Sequence, residues 1–324
     1  MQKNKKIKWG ILGLGKIAHK FAEDLLLIDD AELHAVASRS DEKSRAFAQN
    51  FGATIHYASY EDLVKDNAID AIYIATPHSF HAAHSILCLE HKKAVLCEKP
   101  FAMNWQEVSK MIAVAKENDT LLMEALWTYF LPHYQYVLKV IQSKSLGELT
   151  KLEADFGFKP AFDANSRLFA TKLGGGSLLD IGIYPIFAAL STLGAPNTMN
   201  AKATFFETGA DSTCQMTFTY DTVEAHLKST FLEETQTEAI FTFTKGVLKI
   251  NKRFHEPSSV SIFKNDKEET ILFETKGNGY YYEILHFNQL LREGKRESNL
   301  MTFDFSELLI KTLDSVRSSI GLEY

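Results

Sequence analysis

The chain has 324 residues, 45% hydrophobic and 23% charged, with 35 basic against 41 acidic side chains for a formal net charge of −6. That length exceeds the size at which one core is usual, so two domains are expected. The balanced charge excludes a nucleic-acid footprint, with Lys3, Lys5 and Lys6 reading as a solvated lead-in to the first strand. No apolar run is expected to span a membrane and no signal-peptide pattern opens the chain, which points to the cytoplasm. Cys88, Cys97 and Cys214 are odd in number and widely spaced, as buried reduced thiols are, rather than a disulfide framework or a zinc site.

Ile7 to Leu12 reads as a short buried strand, followed by Gly13-x-Gly15-x-x-Ala18 and a helical run from Lys16 to Ile28. Gly13 permits a tight turn, Gly15 lets a pyrophosphate approach the backbone, and Ala18 lets the helix pack closely on the strand. The helix start at Lys16, Ile17 and Ala18 presents free N–H groups and the positive dipole end to phosphates. Such a pattern also serves plain tight corners, and its strand–motif–helix context selects the dinucleotide reading. The second strand ends at Ser38, where an NAD-selective site usually places an acid for the ribose hydroxyl. Here Ser38-Arg39-Ser40 suits a 2′-phosphate, so NADP is expected, with NAD as the weaker ligand. The plainer alternative is a solvated arginine beside an N-cap serine.

A helix over Asp41 to Phe51 stops at Gly52, and Ser59-x-x-Asp62 opens a short helix. The strands DAIYIATP, KAVLCEKP and TLLMEA, with a helix ending at Glu90 and another capped by Asn104, complete a doubly wound parallel Rossmann sheet over residues 1–125. Residues 126–324 read as an α+β substrate-binding and dimerisation domain. Helices are expected over Pro132 to Ser143, Ser177 to Leu193, Tyr281 to Arg292 and Phe305 to Ile320. Alternating Thr- and Phe-rich segments from Thr198 to Thr275, with a strand near Thr150 to Phe158, predict a large open, mainly antiparallel sheet. Too few helices cover both faces of that sheet, so a homodimer through it is expected.

Three stretches can carry chemistry. Glu98-Lys99-Pro100 ends a strand at the edge where open α/β sheets bind ligands. LGGGSLLDIGIY, Leu173 to Tyr184, has three glycines that clear space for a ligand or another backbone, and Asp180 and Tyr184 fall on one helix face. Ser177-x-x-Asp180 also has capping-box form, while Pro185 breaks helix rules just beyond. His78-x-x-His81-x-x-His84 lacks a fitting third ligand, because His78 and His84 diverge around the helix, so no metal is expected.

GILGLGKIA, IATPHSFH, KAVLCEKP, LLMEALWT and GGGSLLDIGIYPI together resemble the Gfo/Idh/MocA family of two-domain oxidoreductases, over nearly the whole chain. The pattern is most similar to its dimeric dihydrodiol dehydrogenases and NADP-dependent D-xylose dehydrogenases. The resemblance implies that Lys99 and Tyr184 are catalytic and that Asp180 assists. It further implies cofactor contacts from Thr76, Pro77, His78, His81, Glu98 and Lys99, and substrate contacts from Trp127, Tyr129, Phe158 and Tyr184. Where those dehydrogenases read Trp-Thr-Arg-Phe, this chain has Trp127-Thr128-Tyr129-Phe130, which favours neutral polyols over sugar acids.

A free tyrosine, with a pKa of about 10, is a poor base at neutral pH. A lysine ammonium and a positive nicotinamide ring both favour tyrosinate, making Tyr184 usable as general base or acid. The expectation is therefore hydride transfer between NADP and a cyclic or sugar-like secondary alcohol: a trans-dihydrodiol, a pentose or a similar polyol. The alternatives are a non-catalytic NADP(H) sensor and a sugar-modifying enzyme of the same family that recycles its cofactor.

Overall fold

The computed structural model describes residues 5–324, so Lys3 lies outside the described residues. The chain divides into two compact units, Met1–Phe130 with Thr275–Glu307 and Leu131–Glu274 with Leu308–Tyr324. In the first unit, strands and helices alternate: β1 (Ile7–Leu12), α1 (Lys16–Leu25), β2 (Ala31–Ala37), α2 (Asp41–Phe51), β3 (Ile55–Tyr57) and α3 (Tyr60–Lys65). They continue with β4 (Ala71–Ile74), α4 (His81–Glu90), β5 (Ala94–Glu98), α5 (Trp105–Glu117) and β6 (Leu122–Ala125). All six strands are parallel, in the order β3-β2-β1-β4-β5-β6. The order reverses between β1 and β4, which opens the ligand crevice at the strands' carboxyl ends.

The helix starts follow local chemistry. Ser40 accepts from Lys43 N, Ser59 from Asp62 N and Asn104 from Glu107 N, while Gly52 in the left-handed region ends α2. The first helix ends at Leu25 instead of Ile28. Leu27 N and Ile28 N bond only three residues back, to Asp24 O and Leu25 O, so the last turn tightens.

The second unit begins with α6 (Pro132–Ser143) and β7 (Leu149–Gly157), then a π-helical turn Leu178–Gly182 running into α7 (Ile183–Leu193). Its strands β8 (Thr198–Phe205), β9 (Asp211–Thr219), β10 (Glu224–Thr230), β11 (Ala239–Phe243), β12 (Gly246–Ile250), β13 (Val260–Lys264) and β14 (Lys267–Ile271) join β7 in one sheet. Its order is β14-β13-β12-β11-β7-β10-β9-β8, antiparallel throughout except for β7 against β10. Cys214, Met216 and Phe218 on β9 and Ala225 and Leu227 on β10 point into the core, and their neighbours alternate outward.

Two readings of this region change. Thr171–Leu193 is long and apolar enough to cross a membrane, against the expectation that no run would be, and 94% of its most apolar window is buried inside the structure. Such a composition is also that of a core helix hydrophobic all round. Ser177 is not an N-cap. Its backbone is helical, and its hydroxyl donates to Asp211 Oδ2 at 2.7 Å and meets Ser229 Oγ at 3.0 Å, while Leu178 N donates to the same Asp211 oxygen at 2.8 Å. A carboxylate from β9 thus does what a local cap would have done. Pro185 is the third residue of α7, where it has no N–H to give back, and the turn before it is widened to π geometry.

Two of the three glycines make room for other parts of the protein, as the expectation of a ligand or another backbone allowed. A Cβ on Gly175 would stand 2.8 Å from Ala170 N, and one on Gly176 would collide with the Asp211 carboxylate.

The remaining helices are α8 (Tyr280–Arg292), in the first unit, and α9 (Phe303–Ser319). The α1 residue Asp24, fully buried, accepts from Asn278 N at 2.7 Å, Gly279 N at 3.0 Å and Tyr281 N at 3.0 Å, so it caps α8 from a helix some 250 residues earlier. Trp9 of β1 donates to Asn288 at 3.1 Å and packs its ring on Phe21 and Phe287.

Gly176 combines a φ of +125° with that collision. Gly176→Ala is therefore expected to lower stability by about 3 kcal/mol, as left-handed strain and a displaced buried hydrogen-bond network together do. Urea unfolding measures it, and a loss below about 1 kcal/mol would contradict the packing described.

Candidate active site

The cofactor half lies in the first unit. Gly13 has φ +92°, and a Cβ there would press on Thr76 Cγ2 at 2.8 Å, so only glycine lets β1 turn beside the β4 tip. Gly15 is different. A Cβ on it would meet nothing nearer than Ala75 O at 4.0 Å, and it is the N-cap of α1 with no side-chain bond. The first turn, Lys16, Ile17 and Ala18, carries no acid, so its N–H groups and dipole face outward uncompensated. At the tip of β2, Arg39 is exposed. The Ser38 and Ser40 oxygens accept from Ser40 N and Lys43 N, which leaves both hydroxyl hydrogens to donate. Ser40 is at once the helix cap and a candidate phosphate ligand. An open cradle, an uncapped helix start and an exposed arginine at the strand tip fit a dinucleotide with a 2′-phosphate.

Lys99 sits on a turn held from three sides. Lys99 N donates to Glu98 Oε2 at 3.2 Å, Phe101 N donates to Glu124 Oε1 at 3.0 Å, and the His81 ring lies 2.7 Å from Pro100 O. The Lys99–Pro100 peptide is cis. The other His81 nitrogen lies 2.8 Å from Thr76 O, so the ring stands between the β4 loop and the β5 turn. Glu98 is buried and also accepts from the Tyr73 hydroxyl, so its carboxylate is engaged within the sheet. Burial pushes Glu124 up to about 7. Glu283 of α8, fully buried beside Glu98 and Asp24, is held well above the usual carboxylate range by that burial and by those two carboxylates. His78 is buried in a short 3₁₀ turn, edge-on to His81, and His84 Nδ1 meets Thr76 Oγ1 at 3.0 Å. The three histidines thus serve loop geometry. Pro77 precedes that turn in extended conformation.

The second unit carries Asp180 and Tyr184, each 5% exposed. Asp180 in the π turn accepts from Arg167 Nη1 at 3.0 Å, across the loop that follows β7. Tyr184 packs its ring 5.8 Å from Phe156 and 4.7 Å from His255. Phe158 continues this row, 6.1 Å from Phe156 and 5.1 Å from Phe231. In the first unit Trp127 stacks on Tyr280 at 4.5 Å, and half-buried Tyr129 lies against Phe130 and Phe305. Arg167, Asp211 and His255 were not found from sequence. No spacing links them to Tyr184, although His255-Glu256-Pro257 after a strand is a polar turn worth notice.

Two carbonyls favour a protonated His81 ring, and burial opposes it more strongly, pushing it down to about 4. An unfolded histidine titrates near 6.5, so the unfolded chain takes the proton first as pH falls. The stability this ring protects is intact above about pH 6.5 and is lost toward pH 4. Between pH 7 and pH 5 the wild type should lose about 2 kcal/mol more than His81→Gln in urea unfolding. Equal losses would show that the folded ring accepts its proton in that window.

Residues 7–126 match the family model of an oxidoreductase family with an NAD-binding Rossmann fold, and residues 134–249 match the GFO/IDH/MocA C-terminal domain. The trans-1,2-dihydrobenzene-1,2-diol dehydrogenase of Xenopus tropicalis is 34% identical, over 98% of this chain and 99% of its own. The scyllo-inositol 2-dehydrogenase (NADP(+)) IolU of Bacillus subtilis is 31% identical, over 98% of each. A solved 3-ketoreductase from Actinomadura kijaniata, in complex with NADP and TDP-benzene, superposes with a TM-score of 0.88 at 26% identity over 98% of both chains. Family models over both halves and full-length relatives agree: the chain belongs to the Gfo/Idh/MocA family of oxidoreductases.

Proposed function

We propose that this protein is an NADP-dependent oxidoreductase acting on a secondary alcohol of a diol, inositol or sugar-like ring, with Lys99 and Tyr184 as its catalytic pair. The observation that carries the reading is the cofactor cradle, in which an open Gly15 at an uncapped helix start stands with an exposed Arg39 at the β2 tip. Relatives named for a dihydrodiol and for an inositol, the latter with NADP(+), support the substrate class.

Bound NADP supplies the hydride acceptor, or its reduced form the donor. Tyr184 accepts the alcohol proton at its phenolic oxygen in oxidation and returns it in reduction. The Lys99 ammonium, on a turn fixed by Glu98, Glu124 and His81, supplies a positive charge that favours alkoxide character at the reacting oxygen. Asp180, engaged by Arg167, holds the polar end of the Tyr184 helix and links it to solvent through the half-exposed guanidinium.

Two further parts of the proposal concern the protein's setting. The outward face of the large sheet, with Glu153, Lys202, Gln215, His226 and Lys228, pairs with a second copy, its mixed charges suited to self-complementary contact. Cytoplasmic residence accords with three free, buried cysteines.

Purified protein mixed with NADP and a panel of dihydrodiols, inositols and pentoses should produce reduced cofactor at 340 nm, and silence across the panel would remove the dehydrogenase reading. Tyr184→Phe should cut turnover by about 10² to 10⁴ without changing NADP affinity. Arg39→Ala should weaken NADP by about 1.5 to 3 kcal/mol and leave NAD nearly unchanged; equal wild-type affinities for the two cofactors would refute that role. Light scattering at micromolar concentration should give twice the chain mass, and a monomer would contradict the dimer.

A further inference from the structure

Beside Tyr184 the second unit builds a charged cluster from the turn after β12. His255 is 4% exposed, with its ring stacked on Phe156 at 4.1 Å and tilted against Tyr184 at 4.7 Å. Its Nε2 lies 3.5 Å from Glu256 Oε1. Arg253 grips the same carboxylate as a fork, Nε to Oε2 at 2.8 Å and Nη2 to Oε1 at 2.6 Å. Burial alone would raise the Glu256 carboxyl, and the Arg253 fork with His255 overrides it and holds the group ionised, well below the usual range. Arg253 has φ +64°, a left-handed conformation rare for a residue with a side chain, and such residues persist only where the surroundings fix them. The turn is fixed: Phe254 N donates to Thr237 O, Phe254 O accepts from His133 Nε2, and Glu256 N donates to Arg253 O.

We propose that His255, backed by Glu256 and Arg253, is a positioning residue for Tyr184, its ring setting the plane of the phenol and its positive charge favouring the tyrosinate. This rests on the assignment of Tyr184 as the proton acceptor. Charged and titratable groups of several elements face the pair. Glu256 favours the imidazolium, and Arg253, itself facing Tyr184 and Glu234, adds positive potential at the phenol. Asp180 on the same helix is engaged by Arg167. From α6, His133 is kept neutral by burial, which pushes it down to about 4, and β7 contributes the apolar Phe156. In oxidation the alcohol proton passes to the phenolate oxygen of Tyr184, and His255 keeps its own proton throughout.

A cation beside an acid lowers that acid's pKa, so removing His255 makes Tyr184 hold its proton to higher pH. The test is the pH profile of kcat/KM for alcohol oxidation in wild type, His255→Phe and His255→Gln, with Tyr184→Phe alongside and thermal melts to verify folding. The limb on the acid side is expected to move up by about one pH unit in both histidine variants. The rate deficit should be largest at low pH and shrink as pH rises, while the Kd for NADP is unchanged. A merely structural role lowers the rate at all pH values equally, and an unmoved limb in a folded variant overturns the proposal. If His255→Phe fails to fold, His255→Gln decides. Substantial turnover in Tyr184→Phe overturns the Tyr184 assignment and this proposal with it, whereas an inactive Tyr184→Phe with an unmoved histidine limb overturns this proposal alone.

Discussion

The buried carboxylate of Asp211 fixes the most chemically committed helix of the second unit. It receives Ser177 Oγ and Leu178 N, and Gly176 must lack a side chain because that carboxylate occupies the space. Burial pushes Asp211 up to about 6, so ionising it inside the protein carries a free-energy cost that its hydrogen bonds offset. In return the start of the π turn is registered on β9 and, through Ser229, on β10. Asp180 and Tyr184 inherit their positions from the sheet. A local cap would have fixed only the helix's own first turn.

This arrangement marks the boundary of what the sequence discloses. Elements specified by near neighbours were legible: the Gly13 turn, the caps at Ser40, Ser59 and Asn104, the stop at Gly52, and the helix Pro132–Ser143. Ser177-x-x-Asp180 has the same local form as those caps, yet a distant acid outcompetes it. Asp180 faces Arg167 instead. The aromatic surroundings of Tyr184 come from β7 and the turn after β12, some 30 and 70 residues away, and no periodicity connects them. The apolar stretch before Gly194 also misleads by composition, since burial on every side in a core selects the residues that burial in lipid would. Lys99 and Tyr184 stood out through the family's motifs, and the groups that hold them in place did not.

Acids surround the turn that bears Lys99, and they are not equivalent. Glu98 and Glu124 each accept a backbone N–H from that turn, so those carboxyl oxygens are spent on geometry. Burial and the neighbouring Glu98 hold Glu283 well above the usual carboxylate range. Were all three ionised in a dry interior, their mutual repulsion would work against the fold. Burial also pushes Glu124 up to about 7, so this interior resists carrying a negative charge on all three carboxyls at once.

The return of the chain at α8 governs the order in which this protein can be made. Asp24 and Trp9 are synthesised some 250 residues or more before their partners Asn278, Gly279, Tyr281 and Asn288. Until those residues emerge, the face of β1 and α1 that α8 covers holds a buried-type carboxylate and an indole with nothing to receive them. The first unit therefore reaches its final packing only after α8 has been synthesised. A chain cut short before Asn278 leaves uncovered the face of β1 and α1 that α8 packs on, an apolar surface of the kind that chaperones and proteases recognise.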